Sequence, residues 1–94
     1  MRKDITITIP NQIIADAFAR FGRNYQDNMA GEEAGELVVA INHERRGRAN
    51  EVHTCREAAD SIVTAIQIIT SRGLDPQEFV DESLAGLEKR IREV

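Results

Sequence analysis

The spacing of hydrophobic residues in this chain changes after the first ten positions. Residues 4–9 alternate polar side chains with Ile, which predicts a short strand or an extended arm. From residue 11 the apolar positions follow a helical period, and a first helix is expected over residues 11–22. Its apolar face is formed by Ile13, Ile14, Ala17, Phe18 and Phe21. Residues 23–30 are mostly polar and receive no assignment.

Three further helices are predicted downstream. The second covers about residues 31–46 and stops at Gly47, and the third covers about residues 54–72. The third is apolar on nearly every side, which is typical of a central helix. The fourth begins with Asp75 as N-cap and Pro76 in the first turn, and its apolar stripe should pack on the same core. That stripe consists of Val80, Leu84, Leu87 and Ile91.

These elements predict one all-α domain over residues 1–94, a small bundle of about four helices. Residues 1–10 form the arm or short strand, and residues 11–94 form the helical core. A chain of 94 residues without Trp can build only a small aliphatic core, so we expect an oligomer, a homodimer or homotetramer. The first helix and the arm are expected to pack across the subunit boundary.

Charge and composition exclude several classes of function. The net charge of −4 disfavours binding to duplex nucleic acid, which requires a basic face. No apolar run is long enough for a membrane span, and the start of the chain lacks the continuous apolar segment of a signal peptide. The single cysteine, Cys55, cannot form a disulfide framework. We therefore expect a cytoplasmic protein that does not bind membranes.

Two pairs of acidic residues, Glu33 with Glu36 and Glu57 with Asp60, carry the candidate chemistry. Each pair is spaced to share one side of its predicted helix. If the two helices pack antiparallel, four carboxylates are available to one cluster. Converging carboxylates repel one another and need a cation, and an all-oxygen ligand set favours Mg²⁺, with Mn²⁺ as a substitute.

Ordinary helix starts offer an alternative explanation for these acids. Thr54 and Glu57 have the spacing of a capping box, and Glu32, Glu33 and Glu36 are compatible with a solvated first turn. Asp60 is too far into its helix for either explanation. The remaining acidic pairs, which involve Asp75, Glu78 and Asp81, are explained by the start of the fourth helix.

The two segments 31–37 and 57–60 resemble the EExxE…ExxD signature of MazG-like all-α nucleoside triphosphate pyrophosphohydrolases. The resemblance extends over about residues 18–94 and includes the basic segment 87–91. It implies Mg²⁺-dependent cleavage of a (d)NTP between its α and β phosphates, releasing a (d)NMP and pyrophosphate, as nucleotide-pool housekeeping. It also implies the catalytic acids Glu32, Glu33, Glu36, Glu57 and Asp60, of which all but Glu32 would bind the metal.

Residues for the rest of the substrate are also implied by the resemblance. Lys89 and Arg90 match the family's basic pair and would bind phosphate. Gln26, which resembles a Gln before the acidic motif of some of these proteins, is a weaker candidate for binding the base, and so is Tyr25, proposed from its own chemistry because its ring can stack on a base. The chain departs from many relatives at Leu84 and Gly86, where they carry Asn and Lys. His43, His53 and Cys55 lack zinc-site spacing, lie in or beside the connection between the second and third helices, and are assigned no chemistry.

Two other functions stay open. The first is a non-catalytic helical oligomer, a binding or regulatory module in which a metal stabilises the acidic cluster. The missing Asn and Lys of the fourth helix motivate it. The second, within the same superfamily, is a phosphoribosyl-ATP pyrophosphohydrolase.

Overall fold

The computed structural model describes residues 3–93, and all regular secondary structure in that range is helical. It contains α1 (Asn11–Arg45), α2 (Glu51–Ser71) and α3 (Pro76–Glu93). The all-α prediction is confirmed, but the described residues form three helices in place of about four. The arm, residues 3–10, is extended and forms no strand within the described part of the chain.

The first two predicted helices belong to one long element, α1, which is bent at Gly22. The backbone angles of Gly22 (φ 79°, ψ 167°) lie outside the helical region, in a conformation that essentially only glycine adopts. Residues 23–30, which had no assignment, are helical and continue into the predicted second helix without a break. Gly22 therefore kinks α1 into two helical segments, one on each side of it, with no loop between them.

The start of α2 lies three residues before the predicted one. Asn50 is the N-cap, and its Oδ1 accepts a hydrogen bond from the His53 N–H at 2.9 Å. The interpretation of Thr54 and Glu57 as a capping box is therefore wrong, since Asn50 caps this helix. At the other end of α2, Gly73 has a left-handed conformation (φ 73°), as expected after a helix. Asp75 caps α3 by accepting the Gln77 N–H at 3.0 Å, as predicted.

α1 and α2 pack side by side along an antiparallel seam. The Ser61 hydroxyl donates to the Glu33 carbonyl oxygen at 3.3 Å, and the Thr54 hydroxyl donates to the Ala40 carbonyl oxygen at 3.5 Å. The two bonds are separated by the same distance on each helix, about two turns, but in opposite chain directions. These bonds establish the antiparallel arrangement that the acidic cluster requires.

An ion pair joins the C-terminal end of α2 to α1. Arg72 donates from both terminal nitrogens to the two carboxylate oxygens of Asp27, each at 3.1 Å. This bidentate hydrogen bonding holds the pKa of Asp27 below its ordinary value, and the positive charges of Arg72 and Arg23 act in the same direction. The pair fixes the end of α2 against the segment of α1 that follows the bend.

The core of the single chain is small. Among the described hydrophobic residues, only Ile14 and Ala40 are buried. α2 therefore is not surrounded by other helices as predicted, because α1 alone packs along its length. α3 contacts α2 only and leaves its apolar stripe exposed, so the expected packing of the fourth helix on this core is wrong for the single chain. No helix in residues 3–93 combines the length and apolar character that a membrane crossing requires.

Candidate metal centre

The seam brings together three of the predicted acidic residues, Glu33 and Glu36 from α1 and Glu57 from α2. One carboxylate oxygen of each lies within 4.8 Å of the others. Glu33 and Glu36 lie one turn apart on α1, and Glu57 lies opposite them because the helices run antiparallel. We call these three residues the acidic cluster.

The helix-start explanations for these acids do not fit the structure. Glu33 and Glu36 lie well inside α1, far from its first turn, so the helix dipole at the N-terminus does not stabilise them. Glu57 lies in the second turn of α2 and caps nothing, since Asn50 caps that helix. Neither helix capping nor the helix dipole therefore explains why these three acids occur here.

The electrostatics of the cluster disfavour three negative charges. The pKa of Glu33 is raised above its ordinary value, first by desolvation and then by the charges of Glu36, Asp60, Glu57 and Glu32. The pKa of Glu36 is raised mainly by its hydrogen bond with Glu57 and by the Glu57 charge, while His53 acts in the opposite direction. Both shifts disfavour the charged forms of Glu33 and Glu36, so the converging carboxylates repel one another unless a cation is present.

Two oxygen atoms of the cluster have no partner. Glu33 Oε2 and Glu57 Oε2 are buried and form no hydrogen bond with the described residues. Buried oxygens of this kind are costly unless a hydrogen-bond donor or a cation satisfies them. Three carboxylates are a hard, all-oxygen donor set, which suits Mg²⁺ or Mn²⁺. The residues present therefore fit the divalent cation that the sequence predicts.

Asp60 and Glu32 flank the acidic cluster. Asp60 is exposed and its carboxylate lies outside the group of three, although its charge raises the pKa of both Glu33 and Glu36. Glu32 is also exposed and lines the same groove as Glu36 and Glu57. Four carboxylates are expected from the sequence to form the metal site. Three of them lie together in the structure, and Asp60 lies beside them.

An open groove of about 700 Å³ runs along this side of the seam, a size typical of small-molecule sites. Its lining is formed by Glu32, Gly35, Glu36, Val39, His53 and Glu57. The sequence pattern assigns His53 no chemistry, because it lacks zinc-site spacing and lies in or beside the predicted connection between the second and third helices. It lies instead in the first turn of α2, four residues before Glu57 and on the same face. That spacing is the signal by which the sequence could have placed it here.

The predicted phosphate-binding and base-binding residues lie elsewhere. Lys89 and Arg90 are on α3, which does not contact α1 in the single chain, and Lys89 pairs with Glu93 at 3.8 Å. Tyr25 is half-exposed and stacks on Phe21, with 4.9 Å between ring centroids. Gln26 is buried, with 3% of its surface exposed, and within residues 3–93 its Nε2 has no hydrogen-bond partner. Their proposed roles stay predictions.

Comparison with known proteins adds no assignment, since family models, curated proteins and solved structures give no match to this chain. The resemblance to MazG-like enzymes therefore rests on the acidic motif and on its helical setting.

Proposed function

We propose that this protein is a Mg²⁺-dependent nucleoside triphosphate pyrophosphohydrolase that cleaves (d)NTPs between the α and β phosphates. The observation that carries the proposal is the acidic cluster. Three carboxylates from two helices converge within 4.8 Å, and two of their buried oxygens lack a hydrogen-bond partner among the described residues. The motif residues supply the reaction class by resemblance, and the cluster supports a cation site for that reaction.

Glu33, Glu36 and Glu57 would hold the cation, and Asp60 would add negative charge beside them. A bound Mg²⁺ neutralises phosphate charge and lowers the pKa of an attacking water. The half-buried position of Glu33 and Glu57 limits competition from bulk water for their oxygens. Glu32 lies at the exposed edge of the groove, where its carboxylate is available to accept a proton from water.

The open groove gives a triphosphate access to the cluster from solvent. His53 is the basic residue among its described lining residues, and it stands on the same helix face as Glu57. We assign Lys89 and Arg90 to phosphate binding as a proposal from the motif. In a single chain α3 does not contact α1, so this role requires either another position of α3 or a second chain. The base-binding roles of Gln26 and Tyr25 are likewise proposals.

Product analysis tests the reaction class. Purified protein is incubated with a panel of NTPs and dNTPs and Mg²⁺ or Mn²⁺, and products are separated by ion-exchange chromatography. The proposal predicts monophosphate and pyrophosphate from wild type and from Glu44→Gln, and none from Glu36→Gln. Glu44 is a matched control because it lies on the same helix outside the cluster. Release of orthophosphate, or equal turnover by Glu36→Gln, would contradict the proposal.

A non-catalytic helical oligomer with a metal-stabilised acidic cluster is the second candidate. Leu84 and Gly86 stand where many relatives carry Asn and Lys, and α3 does not contact α1. Asp60→Asn separates the two candidates. The enzyme loses turnover with its assembly intact, whereas a structural metal site loses metal-dependent stability and has no turnover to lose. Phosphoribosyl-ATP in the substrate panel tests the third candidate.

A further inference from the structure

α3 is an amphipathic helix whose apolar side is uncovered in the single chain. Val80, Leu84, Leu87 and Ile91 recur at helical spacing and expose 42%, 55%, 46% and 66% of their surfaces. The opposite side of the helix is polar and includes Glu82, Lys89 and Glu93. A helix of this pattern requires an apolar surface to pack on.

A matching surface lies along the α1–α2 seam, on the side away from the acidic cluster. There, an apolar groove of about 610 Å³ is lined by residues of both helices. Its lining includes the small residues Ala30 and Ala34 of α1 and Ala65 of α2, together with the larger Val38, Ile68 and Ile69. Small residues between larger ones provide the holes into which Leu and Ile side chains of another helix fit. We call this the apolar groove.

The surface area of the chain indicates how much apolar surface is left uncovered. The accessible surface is 7809 Å², whereas a compact monomer of this mass has roughly 5,400 Å². The radius of gyration is 15.5 Å, compared with about 12.4 Å for a compact domain of this length. The exposed arm accounts for part of the excess of about 2,400 Å². Obligate homodimers bury about 1,000 to 2,500 Å² per chain, which matches that excess.

We propose that a second copy of this chain covers both surfaces, with the α3 stripe of each copy packed in the apolar groove of the other. A reciprocal two-fold arrangement leaves neither stripe nor groove exposed, and it closes without forming a filament. The inference does not depend on the acidic cluster, because none of its residues belongs to that cluster. It places α3 on the side of the seam away from the cluster, so this second copy would not bring Lys89 and Arg90 to the phosphates, and their proposed role would require a further chain or another position of α3. It places the subunit boundary at α3 and at the seam, whereas the sequence pattern predicts the first helix and the arm there.

Sedimentation velocity over a wide concentration range tests the assembly. Wild type is expected at twice the 10.5 kDa chain mass. Leu87→Asp, within the stripe, should raise the dimer dissociation constant at least about 30-fold, the effect of losing one anchor residue. Ala85→Asp adds the same charge outside the stripe and should leave the constant unchanged. A folded, monomeric wild type at about 100 μM overturns the proposal.

Cross-linking keeps the test decisive if Leu87→Asp does not fold. In a Cys55→Ser background, which removes the exposed native thiol, chains carrying Leu87→Cys are mixed with tagged chains carrying Val38→Cys. The proposal predicts a disulfide between the two kinds of chain. Ala85→Cys is the control and should give none. A disulfide within one chain of the double variant, formed in a monomer, would show that α3 covers its own groove, and it would overturn the proposal.

Discussion

The two sides of the α1–α2 seam have opposite chemistry although the same helices build both. On one side, Glu33 and Glu36 face Glu57 across an open groove. On the other, alanines and larger aliphatic residues, including Ile68 and Ile69, line the apolar groove. Between the two sides, the hydroxyls of Ser61 and Thr54 bond to backbone carbonyls of α1 and fix the helix register.

Each side is incomplete in the single chain, and for a different physical reason. The acidic side concentrates negative charge and leaves buried oxygens without partners, so it requires a cation. The apolar side leaves hydrophobic surface in water, so it requires another apolar surface. One helix pair therefore presents a candidate chemical site and a candidate assembly site that substitutions can affect separately.

The largest effect is expected on the acidic side. Glu57→Gln removes a ligand charge while preserving side-chain shape, so turnover should fall at least ~100-fold. Sedimentation should not change, because Glu57 lies outside the apolar groove. Steady-state kinetics and sedimentation velocity on the same preparation measure both. A joint loss of turnover and assembly would mean that the two sides are not independent.

The reverse experiment places a charge on the apolar side. Ala34→Glu introduces an acid into the apolar groove, and an unpaired charge buried there should weaken the dimer by roughly 2 kcal/mol, or about 30-fold. Mn²⁺ affinity per folded chain, measured by electron paramagnetic resonance, should stay within about twofold. Ala85→Glu is the matched control, since Ala85 is exposed on α3 outside the stripe. Unchanged assembly of Ala34→Glu would disprove the role of this groove.

The bend at Gly22 affects both sides equally, because it sets the path of α1 into the seam. Gly22→Ala should lower the free energy of unfolding by about 1–3 kcal/mol, since the backbone conformation there excludes other residues. Gly86 is helical and has open space around its Cα, so Gly86→Ala should stabilise the protein by up to about 1 kcal/mol. Urea denaturation at fixed protein concentration compares the two. Equal stability of Gly22→Ala and wild type would show that α1 does not need this bend.

The smallest effect is a pH dependence of the metal-free protein. The pKa values of Glu33 and Glu36 are raised in the folded state, so their contribution to stability is fully present below the unfolded pKa. It is lost as the pH rises through the folded pKa values. In EDTA, the Tm of Glu36→Gln should therefore increasingly exceed that of wild type as the pH rises from 4 to 7. Added Mg²⁺ should reduce the difference by stabilising wild type.

The pair of Asp27 and Arg72 has the opposite pH dependence, because the pKa of Asp27 is lowered. Its contribution is lost as the pH falls through that pKa, and it is common to wild type and Glu36→Gln. Comparison of the two proteins therefore removes it. A Tm difference that is constant between pH 4 and pH 7 would contradict the proposed charge repulsion in the cluster.

Local signals predicted much of the fold. The cap formed by Asp75, the proline after it and the left-handed Gly73 define the end of α2 and the start of α3 within a few residues. These signals succeed because each involves only neighbouring backbone groups. The spacing of the acids also predicted that an antiparallel pair would bring Glu33, Glu36, Glu57 and Asp60 into one cluster, and the first three of these lie together in the structure.

The errors arose where packing between helices decides the structure. Residues 23–30 lack an apolar period, yet they are helical, with Gln26 buried and Asp27 paired to Arg72 from α2. Thr54 has the spacing of a cap, but its hydroxyl bonds to α1, and the helix starts earlier. The direction of α3 depends on long-range packing that its own sequence pattern does not specify.

Titration of Mn²⁺ followed by electron paramagnetic resonance tests the central claim most directly, namely that the acidic cluster is a divalent-cation site. Wild type, Glu57→Gln and Glu44→Gln are compared at pH 7.5 with and without a non-hydrolysable triphosphate analogue. The account predicts saturable binding by wild type and Glu44→Gln, and affinity at least about tenfold weaker for Glu57→Gln. Equal Mn²⁺ affinity in Glu57→Gln and wild type, or no binding by folded wild type, would contradict it.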